Sequence, residues 1–205
     1  MDFMSVLDYL VKRYKIDLPG KMPVFIPGDR NIDFPEMFKE LEFKLGAEIG
    51  TEKGIYAETL VKDNPSLKLF CIDPWKAYEG YREHVNQENL DGFYNETKQR
   101  LAKYNCHIIR GFSENVCTFF ADGTLDFVYI DANHEFLSVA KDLTFWIPKV
   151  RAGGIVAGHD FRRNSGAYVN DVKDVVPAYA YAKKINPWFV LREERAASSW
   201  FWVKG

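Results

Sequence analysis

From Phe43 onward, short apolar runs alternate with segments whose apolar residues recur at helical spacing. This predicts strands near 44–49, 67–72, 106–110, 125–130, 153–158, 187–192 and 199–203, with helices near 53–63, 88–104, 112–120, 135–147 and 169–184. Strands separated by helices imply a parallel sheet covered on both faces. The runs Phe127-Val128-Tyr129-Ile130 and Gly154-Ile155-Val156-Ala157 are apolar throughout, as strands buried on both sides must be. Between the last two strands lie only Arg192 to Ser199, too few for a crossover helix, so that pair must be antiparallel. The expected fold is α/β: a mostly parallel seven-stranded sheet, helices on both faces and a C-terminal antiparallel hairpin.

Residues 1–42 read differently. Phe3, Val6, Leu7, Leu10 and Val11 fall at helical spacing. Prolines 19, 23, 27 and 35 and glycines 20 and 28 then predict an irregular arm, either a connector packed over the sheet or a substrate lid presenting Arg30, Asn31 and Asp33. A second long stretch, Pro74 to Tyr104, carries Trp75, Tyr78, Tyr81, Arg82, His84 and Tyr94, more than a plain crossover needs. It reads as a surface insertion or as a loop over a ligand mouth.

At 205 residues the chain can bury a sizeable core without staples. Its formal net charge of -2, with no Lys/Arg block, argues against nucleic acid as a partner. Cys71, Cys106 and Cys117 lack CxxC spacing and read as reduced core thiols. No signal-like or membrane-spanning run is present, so the expectation is a soluble, cytoplasmic protein with no membrane partner.

The chemistry centres on Glu48-Ile49-Gly50-Thr51-Glu52-Lys53-Gly54, where the first strand of the alternating region turns into a helix. Ligands of open parallel sheets bind beyond the carboxyl ends of the strands, and glycines let them approach bare backbone. Asp73 ends the next strand at the spacing of a carboxylate that takes ribose hydroxyls. A dinucleotide would bring a pyrophosphate, yet Glu52 occupies the place of the second glycine of G-x-G-x-x-G and Glu48 lies just upstream. These acids favour a cationic nucleoside cofactor instead.

Glu48-Ile49-Gly50 with Gly54, Asp73, Asp131 and the closing hairpin resemble a Rossmann-like class I S-adenosylmethionine-dependent methyltransferase, from about residue 43 to the carboxyl terminus. Tyr129-Ile-Asp131-Ala-Asn-His134, then Asp142-Leu143 and Gly153-Gly154-Ile-Val-Ala-Gly158-His159-Asp160, are similar to the small-molecule and sugar O-methyltransferases related to macrocin O-methyltransferase. The resemblance implies S-adenosylmethionine as cofactor, with contacts from Glu48, Gly50, Thr51, Gly54, Asp73, Pro74, Trp75, Phe112, Ser113 and Asp131. Ser113 could equally cap the helix that follows. A homodimer is in keeping with the resemblance, although no residue marks an interface.

Methyl transfer to a hydroxyl needs alignment and removal of a proton. Asp131, His134, His159 and Asp160 follow the fourth and fifth of these strands and should converge at one end of the sheet. In one arrangement Asp131 and Asp160 hold magnesium or another divalent cation; Phe161 stands where catechol-type enzymes carry a third ligand, Asn. In the other, His134 or His159 is the general base. Two further functions stay open: a binding module that keeps the fold without catalysis, and an NAD-dependent oxidoreductase. The acceptor is expected to be a small molecule, and Arg162-Arg163 leave its charge undecided.

Overall fold

The computed structural model describes residues 4–18, 20–78, 86–162, 169–193 and 197–205. Tyr81, Arg82, His84 and Arg163 lie outside the described residues. The elements are α1 (Val6–Tyr14), β1 (Val24–Pro27), α2 (Arg30–Glu40), β2 (Leu45–Ile49), α3 (Ile55–Val61), β3 (Lys68–Asp73), α4 (Gln87–Leu101), β4 (Cys106–Arg110) and α5 (Ser113–Val116). Then follow β5 (Leu125–Ile130), α6 (Phe136–Trp146), β6 (Val150–Phe161), α7 (Val172–Ala182), β7 (Phe189–Arg192) and β8 (Ser198–Val203). They build one sheet in the order β1-β7-β8-β6-β5-β2-β3-β4. All pairs are parallel except the two made by β8, antiparallel to β6 and β7.

The alternating region matches its expected elements and the closing hairpin is present. Two corrections concern residues 1–42. The sheet has eight strands, because Val24–Pro27 adds in parallel to β7, with Val24 opposite Phe189 and Pro27 opposite Arg192. The expected irregular arm also holds a full helix, α2. Asp29 caps it by accepting the Asn31 N–H at 2.8 Å, and Phe34, Pro35, Met37 and Phe38 are buried. Pro35 removes one intrahelical hydrogen bond. Aromatic packing offsets that loss: the Phe38 ring stacks 3.9 Å from Phe127, and Phe34 meets Tyr129 and Phe201 edge-on at 5.5 Å.

Successive β5 side chains divide between two cores, as the strand period requires. Phe127 and Tyr129 join the face under α1, α2 and α3, whereas Val128 and Ile130 join the face under α6 and α7. Cys71 and Cys117 are buried, Cys106 is half-buried, and all three are free thiols. Among the described residues no helix is long and apolar enough to cross a membrane.

One irregularity shapes the mouth. On β6, Gly158 pairs with Trp200 and Phe161 with Ser198, so β6 carries one residue more than its partner between these pairs. Asp160 absorbs the bulge in the left-handed region at φ 54°, and the Trp200 indole N–H holds the His159 carbonyl at 3.2 Å.

Candidate functional site

The carboxyl ends of β2, β3, β4, β5 and β6 share one side of the sheet, because these strands are mutually parallel. At the end of β2 the chain turns on Gly50, at φ 94°, whose N–H bonds the Ile72 carbonyl at 2.8 Å. A Cβ there would lie 2.1 Å from the Asp131 carbonyl oxygen, so the turn and the end of β5 touch through bare backbone. Gly54, at φ 69°, begins α3.

Glu48 points from β2 into this turn and is 2% exposed. Its Oε2 and the Thr51 hydroxyl are buried with no hydrogen-bond partner among the described residues. Burial pushes the Glu48 carboxyl up to about 8; the charges of Asp131 and Asp73 add to the rise, and Thr51 and the Arg30 guanidinium offset part of it. An orphaned acid of this kind fits a ligand that brings positive charge or N–H donors.

Asp73 ties the neighbouring turns together: its Oδ2 accepts the Glu52 N–H at 3.0 Å and its Oδ1 the Trp75 N–H at 2.8 Å. Trp75, expected to line a ligand, is instead fully buried beneath the turn, its indole N–H donating to the Glu52 carbonyl at 2.7 Å. Pro74 and Phe112 line a shallow depression of about 440 Å³ with Lys76, Gln87, Arg110 and Gly111, and the Tyr78 ring meets Phe112 edge-on at 5.7 Å. Ser113 makes no capping bond; its hydroxyl donates to Asp142 Oδ1 at 2.5 Å. Burial pushes that Asp142 carboxyl up to about 7.

The four residues expected to carry chemistry do converge. His134 Nε2 lies 3.2 Å from Asp160 Oδ2 and 3.5 Å from Asp131 Oδ1, and His159 Nδ1 lies 3.6 Å and 3.7 Å from the Oδ2 atoms of Asp160 and Asp131. Among the described residues, neither His134 Nε2 nor His159 Nε2 has a hydrogen-bond partner. Burial alone would raise both carboxyls. The adjacent imidazoles more than reverse this, with Arg30 assisting at Asp131, which is held below the usual carboxylate range, and Arg162 assisting at Asp160, which falls to about 2. Arg162 Nε reaches Asp160 Oδ1 at 3.0 Å. Asn170 donates to the Asp160 carbonyl at 3.2 Å, and the Asp171 N–H donates to the His134 carbonyl at 2.9 Å, so these two residues before α7 flank the cluster.

A methyltransferase-domain family matches residues 47–161, more than half of the chain. The chain belongs to this methyltransferase-domain family. No curated protein matches it in sequence. Solved structures resemble it in fold at low identity. The O-methyltransferase TomG from Streptomyces achromogenes, involved in tomaymycin synthesis and solved with S-adenosylmethionine, is 14% identical with a TM-score of 0.61, covering 95% of this chain and 86% of TomG. The S-adenosylhomocysteine-bound methyltransferase PaMTH1 from Podospora anserina is 13% identical with a TM-score of 0.57, covering 86% and 78%. An rRNA methylase from Streptococcus thermophilus is 13% identical with a TM-score of 0.53, covering 79% and 87%.

Within the methyltransferase domain, Asp131, His134 and Asp160 each offer a ligand atom, all within 4.8 Å of one another. By donor type these three residues could hold a divalent cation. Sequence reasoning also missed two residues of the site. Arg30, read as a polar position of an arm that is either a connector or a substrate lid and not assigned to the cluster, donates from Nη1 to Asp131 Oδ2 at 2.9 Å and to the Tyr129 hydroxyl at 3.3 Å. Asn170 carried no recognisable signal.

Proposed function

We propose that this methyltransferase-family protein transfers the methyl group of S-adenosylmethionine to a hydroxyl of a small molecule or sugar, in line with its resemblance to the macrocin-related subgroup. The observation that carries the reading is the buried Glu48 carboxyl, whose Oε2 has no hydrogen-bond partner among the described residues, at a glycine turn beside the Asp131–His134–His159–Asp160 cluster. TomG, solved with S-adenosylmethionine, and PaMTH1, solved with S-adenosylhomocysteine, support the cofactor. The net charge of -2 supports a small acceptor over a polyanion such as rRNA.

The sulfonium supplies an activated methyl carbon; the C–S electron pair returns to sulfur as the C–O bond forms. Glu48, Thr51 and the Gly50 backbone hold the methionine part, and Asp73 the ribose. His134 or His159 takes the acceptor proton, with Asp160 and Asp131 stabilising the imidazolium that results. Should a divalent cation occupy Asp131, His134 and Asp160, it would lower the pKa of the acceptor hydroxyl, leaving His159 as the available base.

Calorimetric titration with S-adenosylhomocysteine tests the reading. Binding at micromolar to low millimolar concentration is expected, together with methylation of at least one member of a panel of phenols and sugars. Absence of binding at several millimolar overturns the cofactor assignment. Binding without transfer to any acceptor favours a non-catalytic binding module, and preferential binding of NAD an oxidoreductase.

A further inference from the structure

Arg30 opens α2, outside the family-matched residues 47–161, yet its guanidinium lies inside the site. It sits 4.5 Å from the Tyr56 ring centre, and the Tyr56 hydroxyl donates back to the Arg30 carbonyl at 3.3 Å. Tyr56 belongs to the first turn of α3, directly after the glycine turn. The guanidinium is therefore anchored to the element that frames the cofactor mouth. Its charge also reaches Glu48, where it favours the ionised carboxylate.

Three ionisable groups therefore face one place. Among the described residues, Glu48 presents a buried oxygen with no partner, Asp131 presents a carboxylate, and Arg30 uses the single nitrogen Nη1 for its side-chain hydrogen bonds. A guanidinium carries five N–H donors in a fork that matches a carboxylate. Two acids alone would suit any cation. Two acids beside a guanidinium suit a zwitterion whose ammonium and carboxylate are separated by one carbon.

We propose that Arg30 is a specificity-determining residue that binds the carboxylate of the cofactor's methionine part, while Glu48 and Asp131 receive its ammonium. This rests on the S-adenosylmethionine reading above. In the free protein the Asp131 contact holds the guanidinium in place, so little ordering remains for the ligand to impose. Arg30 thereby makes the N-terminal segment part of cofactor recognition rather than a cover over the sheet.

The test compares S-adenosylmethionine with decarboxylated S-adenosylmethionine, which keeps the sulfonium and the ammonium and lacks only the carboxylate, by calorimetry on the full chain. Wild type is expected to prefer the carboxylated ligand by about tenfold or more. Arg30→Met should weaken S-adenosylmethionine by about that factor and leave the decarboxylated ligand within about twofold, so the preference collapses. Arg30→Lys keeps the charge but loses the fork and should retain an intermediate preference; it serves as the reading variant should Arg30→Met not fold. Equal weakening of both ligands, an unchanged preference in either variant, or no preference in wild type overturns the assignment. Failure of wild type to bind either ligand overturns the cofactor reading itself, and this one with it.

Discussion

Burial of the Glu48 carboxyl opposes folding once it ionises, and Glu48→Gln should expose that opposition as a pH dependence. The carboxyl is 2% exposed and titrates at about 8 in the fold, against 4.5 for an unperturbed Glu. Because the folded value is raised, the stabilising contribution is fully present below pH 4.5 and is lost progressively as pH rises towards 8. At about 1.4 kcal/mol per pH unit, the penalty is under about 1 kcal/mol at pH 5 and about 3 kcal/mol at pH 7. Gln carries no ionisable proton, so wild type should lose about 2 kcal/mol relative to Glu48→Gln between these pH values. That corresponds to a gap in Tm widening by about 4–8 °C for a chain of this size. Asp142 is common to both proteins and cancels in the difference. Any offset from the buried carboxamide is independent of pH. Thermal unfolding of both proteins from pH 5 to pH 8, without ligand, measures the gap. A gap that stays constant within about 1 °C would refute the assignment of a neutral, desolvated Glu48. S-adenosylhomocysteine should then raise the Tm of wild type and raise that of Glu48→Gln by less, since the variant has lost one of the two carboxylates that answer the ammonium.

Three further outcomes are expected. Asp160→Asn tolerates the left-handed conformation at φ 54° but gives up the carboxylate that the imidazoles and Arg162 hold at about 2, so it should lower the Tm modestly at neutral pH while methyl transfer falls about 100-fold or more, and His159→Ala should act in the same direction on transfer; normal turnover in both folded variants would remove the cluster from the chemistry. Gly50→Ala forces a side chain onto φ 94° and a Cβ to within 2.1 Å of the Asp131 carbonyl oxygen, which should lower the urea midpoint by the equivalent of about 2–4 kcal/mol and abolish S-adenosylhomocysteine binding. Burial raises the Asp142 carboxyl to about 7, so its stabilisation is lost from about pH 4 up to 7, and Asp142→Asn should gain stability over wild type across that window and no further above it; parallel urea curves at every pH would contradict this.

What was legible in the sequence and what was not divides along a physical line. The period of apolar residues fixes each parallel strand, and parallel strands bring their carboxyl ends together whatever the loops do, so Glu48, Asp73, Asp131, His134, His159 and Asp160 could be assembled from pattern alone. Details that depend on local backbone or on distant contacts could not. The bulge that turns Asp160 to φ 54° has no marker in the run Gly158-His159-Asp160-Phe161, and Trp75 looked like a mouth residue until the buried bond to Glu52 placed it beneath the turn. The prolines at 23, 27 and 35 hid β1 and α2, although Asp29 followed by Phe34, Met37, Phe38 and Leu41 is a capped helical stripe that outweighs Pro35 once burial is counted. That omission mattered most for function. Arg30 meets Tyr129 and Asp131 across 99 and 101 residues of chain, a contact that no local pattern records. It follows from the same stripe: when Phe34 and Phe38 seat α2 on Tyr129 and Phe127, the first residue of the helix is delivered to the end of β5. Packing in the core and charge in the site are thus coupled through one helix, so weakening the Phe38–Phe127 stack should loosen ligand recognition at Arg30 before it unfolds the sheet.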